Sequence, residues 1–511
     1  MDKRLIVQRF LDAGLLVHPD VVNYVAESSS SGVIEGIMNS LPQGLSVVTP
    51  KDVLGMVQMR TDKLAVGPSP LPEILCGREN SSVPLPEPEM SNRIFRDRFD
   101  TLSRMMRGRI SPIPIEALTR QGTRYQDVDV GVCGTVFSIN TTSKGNRVVE
   151  IEDPTGVIKV LFNKSREGFA EAEKIIPDEV IGVKGKLAPP SPGGMSSSML
   201  FADTLIRPDI PLGHTFSPPK EPAKIAMISD VHVGSNTFLE DSWNRFRDWM
   251  EVHPEIGYLL IDGDVVDGIG VYPDQDKELH IKTIYEQYDH VGEMLSELPS
   301  HLQIILAPGN HDAVRGAEPQ PALLEEFRTK FPKNVTFVEN PSLVSIQSVK
   351  TLMYHGRSID DLIKFIPQAS YYEPGLVMEA MLQRRHLGPI YGQRTPLLTT
   401  ETDLLAIREV PDILHTGHIH ISGTTMYHGV LGVNAGTWQS QTSFQKQMNI
   451  VPTPAEAVVV DLSTLAYEKF CFLGRDAGDV SVGLYETKRC AHSGLMKNSS
   501  GTSQSLMLCT Y

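Results

Sequence analysis

Five apolar runs in the second half of the chain each stop at a short polar segment rich in metal-ligating side chains, and this alternation constrains the fold more than any other feature. Lys224 to Ile228 runs into Ser229-Asp230-Val231-His232, and Ile256 to Ile261 runs into Gly263-Asp264-Val265-Val266-Asp267. Leu302 to Ala307 precedes Gly309-Asn310-His311-Asp312, Leu352 to Tyr354 precedes His355-Gly356, and Ile413 to Leu414 precedes Gly417-His418-Ile419-His420. The polar segments recur at intervals of roughly 30 to 60 residues, about the length of successive β-α units that bring strand ends to one edge of a sheet. Ligands of an open α/β sheet gather beyond the carboxyl ends of its strands, so the economical expectation is one cluster.

The residue types say what such a cluster can do. Carboxylate, imidazole and amide ligands suit divalent ions such as Mn, Fe or Zn. A bridged pair of such ions activates water and offsets charge developing on phosphate oxygens, which is the chemistry of a phosphoesterase. Taken singly, an Asp-x-His or a His-x-His is more often a turn, a cap or a satisfied surface pair than a metal site. Five of them in order, each after an apolar run, are not readily produced by accident.

These segments resemble the calcineurin-like metallophosphoesterases. The longer string Gly309-Asn310-His311-Asp312-Ala313-Val314-Arg315, followed by Ala317-Glu318-Pro319-Gln320-Pro321, resembles a narrower family, the small subunits of archaeal DNA polymerase D, also called DNA polymerase II. The resemblance implies a two-metal 3′ to 5′ exonuclease subunit paired with a large polymerase subunit. It implies that Asp230, His232 and His420 hold one ion, that Asn310, His355 and His418 hold the other, and that Asp264 bridges them. Manganese leads the expected ions, with Fe, Zn or Mg as alternatives. His311 is expected to act as a substrate contact or general acid near the leaving oxygen, with Asp312 orienting it. Asp267 is a second orienting candidate, and Asp262 is read as a turn cap. Arg315 is expected to neutralise a substrate phosphate, with a structural ion pair as its alternative, and His415 is read as structural. DNA with a single-stranded or mismatched 3′ end is the expected substrate. A sliding clamp and other replisome proteins are further expected partners, in a nucleoid-associated cytoplasmic setting.

Composition is compatible with this and selects little by itself. The chain has 511 residues, 41% of them hydrophobic, and a formal charge of −15 from 47 Lys and Arg against 62 Asp and Glu. That length suggests several domains. An even spread of negative charge would repel nucleic acid, but metal sites need carboxylates and a local basic groove still binds DNA. The five cysteines, Cys76, Cys133, Cys471, Cys490 and Cys509, are scattered without Cys-x-x-Cys spacing. They argue against a disulfide framework or a structural zinc site and for a reducing compartment. The start, Met1-Asp2-Lys3-Arg4, leads into a mixed amphipathic segment rather than a signal peptide or membrane span.

The expected fold class is multidomain α+β. Residues 1–60 read as a helical module: Leu5, Ile6, Phe10 and Leu11 are at helical spacing before Gly14, and further short helices are expected over 21–26, 33–40 and from Thr49-Pro50. Such a unit is equally a partner contact or plain packing. Residues 61–92, with prolines from Pro68 to Pro88, read as an extended linker. In 93–125, Phe95, Phe99, Leu102 and Met106 form an apolar stripe with arginines on the other face, a helix docked on its own chain or touching DNA or a partner. Five short β-rich runs with a helical insert near 169–174 make 126–210 an OB-type β-barrel. Few aromatic residues mark it, Phe137 and Phe162 being the clearest, so a structural platform is favoured over a strand-binding face. Residues 222–473 are expected to form the calcineurin-like α/β/β/α two-sheet domain, with helices near 238–251, 277–295, 321–330 and 377–385. The segment 474–511, rich in Ser, Gly and Met, reads as a disordered tail.

Two other functions compete. A non-catalytic scaffold B-subunit would show lost ligands, and here every expected ligand type is present. A phosphoesterase for small molecules or phosphoproteins would need neither barrel nor helical module.

Overall fold

The computed structural model describes residues 3–19, 21–22, 47–49, 68–76, 90–120, 122–125, 128–188 and 199–474. The expected helices over 33–40 and after Thr49, most of that over 21–26, the prolines at 84–88, Cys490, Cys509 and the 474–511 tail beyond its first residue lie outside the described residues. At the N-terminus, helix α1 (Lys3–Asp12) buries Ile6 and Phe10, and Gly14 adopts a left-handed φ of +75° just past its end. Strands β1 (Leu16–Val17) and β2 (Val47–Val48) pair in parallel beside it. Among the described residues no helix is long and apolar enough to cross a membrane.

Two six-stranded sheets form the C-terminal domain. The first contains β9 (Lys224–Ile228), β10 (Ile256–Asp262), β11 (Gln303–Ala307), β12 (Val335–Phe337), β18 (Glu456–Asp461) and β19 (Ala466–Cys471), in the order β12-β11-β10-β9-β18-β19. Strands β9 to β12 run parallel, so their carboxyl ends share one edge. Every residue of β10 and β11 is buried, as continuous apolar runs covered on both faces should be. The second sheet holds β3 (Glu73–Cys76), β13 (Ser342–Ile346), β14 (Val349–Met353), β15 (Ile413–Thr416), β16 (Gly423–Tyr427) and β17 (Val430–Asn434), in the order β16-β17-β15-β14-β13-β3.

The packing makes four layers. Ile225, Met227, Leu260 and Ile305 from one sheet share a core with Val344, Met353, Ile413 and Val433 from the other. Outside the first sheet lie the helices Glu240–Glu251 and Ile284–Ser296, which bury Trp243, Phe246, Tyr288 and Val291. Outside the second lies Pro374–Arg384, burying Val377, Met378 and Met381. The expected helix over 321–330 is not formed; only a short 3-10 turn at Glu325–Phe327 appears. The preceding segment is held extended by mutual backbone hydrogen bonds between Gln320 and Asn340, which a helix would break.

The edge strand of the second sheet corrects the linker reading. Strand β3 pairs with β13, Ile74 opposite Val344 and Cys76 opposite Leu343. Ser69 N–H donates to the His301 carbonyl at 3.1 Å, and Tyr258 Oη donates to the Pro70 carbonyl at 3.0 Å. Residues 68–76 are therefore strapped onto the domain. Prolines beside an edge strand leave the paired side intact.

A closed barrel precedes this domain: β4 (Asp129–Thr141), β5 (Arg147–Asp153), β6 (Gly156–Phe162), β7 (Val180–Leu187) and β8 (Met199–Ile206), in the order β4-β5-β6-β8-β7. Val132, Val149, Ile151, Val160, Ile181 and Val183 fill its interior. The helix Phe169–Glu173 is the expected insert. Between barrel and sheets lies the helix Met90–Ile110, whose buried face carries Ile94, Arg98, Leu102, Met106 and Ile110. Phe95 and Phe99 are only half-buried. Arg98 thus sits on the packed face rather than the solvated one, because Asp403 across the interface accepts from its Nε at 2.6 Å.

Candidate metal centre

The loops leaving β9, β10, β11, β14 and β15 meet at one point. Asp230, His232 and His420 offer ligand atoms within 4.8 Å of one another, and so do Asp264, His355 and His418. A third such group, His232, Asp264 and His311, joins the first two. Asp264 lies between them: its Oδ2 is 3.2 Å from His355 Nε2 and 4.0 Å from His232 Nε2. The Nε2 atoms of His232 and His420 face each other at 3.0 Å, and Asp230 Oδ1 is 3.3 Å from His420 Nε2.

Supporting contacts fix which ring nitrogens point inward. His355 Nδ1 lies 2.8 Å from the Asp262 carbonyl and His311 Nδ1 lies 2.7 Å from the Asp267 carbonyl. A carbonyl only accepts, so both Nδ1 atoms carry protons and both Nε2 atoms are turned to the site. His232 Nδ1 faces Asp267 Oδ1 at 3.2 Å, and His418 Nε2 faces Asp360 Oδ2 at 3.4 Å. Carboxylates and carbonyls behind metal-binding imidazoles set tautomer and orientation in this way.

Asp230 Oδ1 and His355 Nε2 make no well-aligned hydrogen bond and only face charged partners, His420 Nε2 at 3.3 Å and Asp264 Oδ2 at 3.2 Å, and the buried Asn310 Oδ1 has no hydrogen-bond partner. Buried polar atoms left without a good partner are costly, and a cation between them would satisfy them. The donor set of carboxylate, amide oxygen and imidazole fits divalent first-row ions. The backbone is strained at the same place. Asp230, His232, Asp264, His418 and His420 all have left-handed φ values, between 49° and 69°. Such conformations cost of order 1–3 kcal/mol each and collect at functional sites.

The electrostatics favour ionised carboxylates. Burial alone would raise the Asp230 and Asp264 carboxyls, but the surrounding imidazoles outweigh it and hold both well below the usual carboxylate range. Burial likewise opposes charge on His232, yet Asp230, Asp264 and Asp267 push it up to about 10.

Comparison with known proteins names the lineage. Residues 225–422 match the family described as the B subunit of DNA polymerases alpha and epsilon, and residues 130–200 match one described as an OB-fold nucleic acid binding domain. The chain is 44% identical to the DNA polymerase II small subunit of Archaeoglobus fulgidus over 377 residues, which is 71% of this chain and 73% of that one. The chain belongs to the DNA polymerase II small subunit family. Its likeness to the Halobacterium salinarum small subunit is 42%, over 73% of this chain and 72% of that one. To the Thermoplasma acidophilum small subunit it is 35%, spanning 90% of this chain and 91% of that one.

In this chain the string Ala317 to Pro321 is a brace for the site. Gln320 Nε2 donates to the Gly309 carbonyl at 3.0 Å, and Asn340 Nδ2 donates to Gln320 Oε1 at 2.7 Å. Asn340 Oδ1 in turn accepts from His355 N–H at 3.0 Å. The Gly309-Asn310 turn and His355 are thus tied through one relay. Glu318 accepts from Tyr354 Oη at 2.8 Å on the same side. The glycines are steric requirements: a side chain on Gly263, at a φ of +86°, would meet His355 Nδ1 and the Gly309 backbone.

Two expected roles change with the geometry, those of Asp312 and Asp262. Asp312 does not orient His311: its carboxylate accepts from Gly309 N–H at 2.8 Å and from Tyr288 Oη at 3.1 Å. Burial and nearby Asp264 push it up to about 7. The His311 ring is instead oriented by the Asp267 carbonyl, and the Asp267 carboxylate holds His232. Arg315 spends its Nε on the Pro319 carbonyl at 2.9 Å. The Asp262 carboxyl is sealed inside rather than capping a turn, and burial raises it well above its ordinary range, while its carbonyl positions His355. His415 is fully buried and held neutral, down to about 3.

Sequence reading missed Asp360 and Arg394. Asp360 supports His418 and accepts from Tyr371 Oη at 2.9 Å, and the exposed Arg394 lies 3.9 Å from it at the rim. Neither adjoins a ligand in sequence. Arg357, whose Nη1 donates to the Gly316 carbonyl at 2.7 Å, does directly follow His355-Gly356.

Proposed function

We propose that this chain is the 3′ to 5′ exonuclease subunit of a heterodimeric polymerase, hydrolysing the terminal phosphodiester of a single-stranded or mismatched 3′ end in a calcineurin-like domain and pairing with a large polymerase subunit. The observation that carries this reading is the pair of ligand groups Asp230, His232, His420 and Asp264, His355, His418, with Asn310 between Gly309 and His311, both of which lie against Asp264. Two divalent ions, manganese first and Fe, Zn or Mg as alternatives, suit that set: one on Asp230, His232 and His420, one on Asn310, His355 and His418, with Asp264 shared. When bound they would lower the pKa of water and offset charge on phosphate oxygens.

The chain's own side chains do the rest. Water oxygen bonds to phosphorus as the bond to the 3′ oxygen of the penultimate nucleotide breaks, releasing a mononucleotide. With Nδ1 committed to the Asp267 carbonyl, His311 presents Nε2 beside that leaving oxygen, and its doubly protonated imidazolium form delivers the proton there while the attacking water gives up one of its own. Arg357 and Arg394 at the rim neutralise neighbouring phosphates. Synthesis belongs to the complex with the large subunit. The scaffold alternative is disfavoured because every ligand position is filled.

The test is digestion of a single strand labelled at its 3′ or 5′ end, by the chain alone and with its large subunit, in Mn. Mononucleotide release from the 3′ end is expected, and inertness in both preparations sinks the reading. His311→Gln should lower kcat by roughly 10²–10⁴ with Mn content retained. Asp360→Ala should weaken Mn binding roughly 10- to 100-fold in calorimetric titration, the size usual for losing support behind a ligand. Unchanged binding would show that His418 needs no such support.

A further inference from the structure

Beside His311 the chain presents an apolar surface that the ligand set does not use. In the loop that follows Asp267, Ile269 is 49% exposed and Val271 39% exposed, and Tyr272 is half-buried next to them. Singly exposed aliphatic residues are ordinary. These are not single: three apolar side chains fall within four positions, on a loop held rigidly against the site.

Two buried glutamines hold it. Gln287 Oε1 accepts from Gly268 N–H at 2.9 Å, and Gln275 Oε1 accepts from Val271 N–H at 2.9 Å. Gln275 Nε2 donates to the Asp267 carbonyl at 2.7 Å, the same carbonyl that orients His311. Gly268, at a φ of +74°, lies so close to the His311 carbonyl that no side chain would fit, and Val271 packs over it. The Tyr272 and His311 rings are 6.3 Å apart, and Tyr272 Oη is fixed on Glu278 at 3.1 Å. A loop with exposed aliphatic groups and no regular structure would ordinarily fold them inward; here it is pinned so that they face out beside the proposed leaving oxygen.

We propose that Ile269, Val271 and Tyr272 form the wall against which the unpaired base of a 3′-terminal nucleotide stacks. This rests on the exonuclease reading above. The part of a DNA end that suits a flat apolar surface is the face of a base, and that face is free only when the base is unpaired. A paired terminus would have to unstack first, at a cost of a few kcal/mol. The wall therefore favours frayed or mismatched ends without reading sequence, because every base has such a face.

The experiment compares, within one protein and in Mn, kcat/KM for a single strand ending in a normal nucleotide and for one ending in an abasic residue. The unmodified full chain should prefer the normal end roughly tenfold, the effect of one stacking contact. Ile269→Ser/Val271→Ser should lower that ratio toward one, with Tyr272 retained, and Ile269→Phe should raise it. Taking the ratio within each protein cancels any loss common to both substrates. A ratio near one in the unmodified chain, or one unmoved by both variants, overturns the proposal. Hydrolysis of bis(p-nitrophenyl) phosphate with no cleavage of either strand would instead overturn the exonuclease reading and the wall with it.

Discussion

Asp264→Asn should cut release of mononucleotides from a 3′-labelled strand by roughly 10³-fold or more, with the fold intact. Asp264 is placed to disturb both halves of the proposed site, since its Oδ2 approaches His355 on one side and His232 on the other. Charge stabilisation by a metal pair is worth several kcal/mol, and each ~1.4 kcal/mol is tenfold in rate. Asparagine is the informative replacement for two reasons. Asp264 has a φ of 49°, and asparagine tolerates the left-handed region better than other residues with a side chain. Its amide oxygen also keeps the acceptor that Asp264 Oδ1 offers to His311 N–H at 2.7 Å. Only the charge is lost. Metal-free thermal stability should fall near neutral pH, because the ionised Asp264 carboxylate is held by His355, His311 and His232, and the neutral amide gives up those charge contacts. Activity within tenfold of the unmodified chain, or undiminished Mn binding, would remove Asp264 from the centre.

The site was more legible than its supports, for a physical reason. Strands β9, β10 and β11 are continuous apolar runs because both their faces are covered, and parallel strands deliver Asp230, Asp264 and Asn310 to one edge. That logic is local and readable. The supports are contacts between distant segments: Asp360 behind His418, Asn340 on His355, Gln445 beside His420. Nothing in the sequence around Asp360 marks it. Adjacency misled in the case of Asp312, which follows His311 in the chain but turns back onto Gly309 and Tyr288. Composition misled at Glu73–Cys76, where prolines suggest a linker; the partner strand at Ser342–Ile346 cannot be inferred from them. The 321–330 segment has helix-forming residues, but the Gln320–Asn340 relay that braces the metal loops requires extended chain just before it.

Arg98→Met should destabilise the chain by about 3–5 kcal/mol, as breaking one partner of a buried ion pair does. Arg98 is 1% exposed on the helix Met90–Ile110, with Nε on Asp403 at 2.6 Å and Nη1 on the Pro389 carbonyl at 2.6 Å. His386 Nε2 meets the same carboxylate at 2.9 Å. Burial alone would raise Asp403, but Arg98 and His386 outweigh it and depress the carboxyl. A depressed carboxyl adds stability above its unfolded pKa and loses it as pH falls through and below the ordinary carboxylate range. Arg98→Met reverses that sign, leaving burial unopposed by the guanidinium, so its deficit should be greatest near neutral pH and shrink in acid. The double variant Arg98→Met/Asp403→Asn should recover much of the loss, since no uncompensated charge remains and the new amide oxygen still offers an acceptor to Leu405 N–H, as the Asp403 carboxylate does at 3.1 Å. Urea unfolding at two pH values reads all three proteins. Equal losses in single and double variants would mean that packing, not charge, carries the interface. By contrast the exposed pair between Arg93 of the same helix and Glu401 of the two-sheet domain should contribute under about 1 kcal/mol, because solvent screens it. An arginine-rich helix invites a nucleic-acid reading, but the buried arginine in it is consumed in clamping the helix to the two-sheet domain.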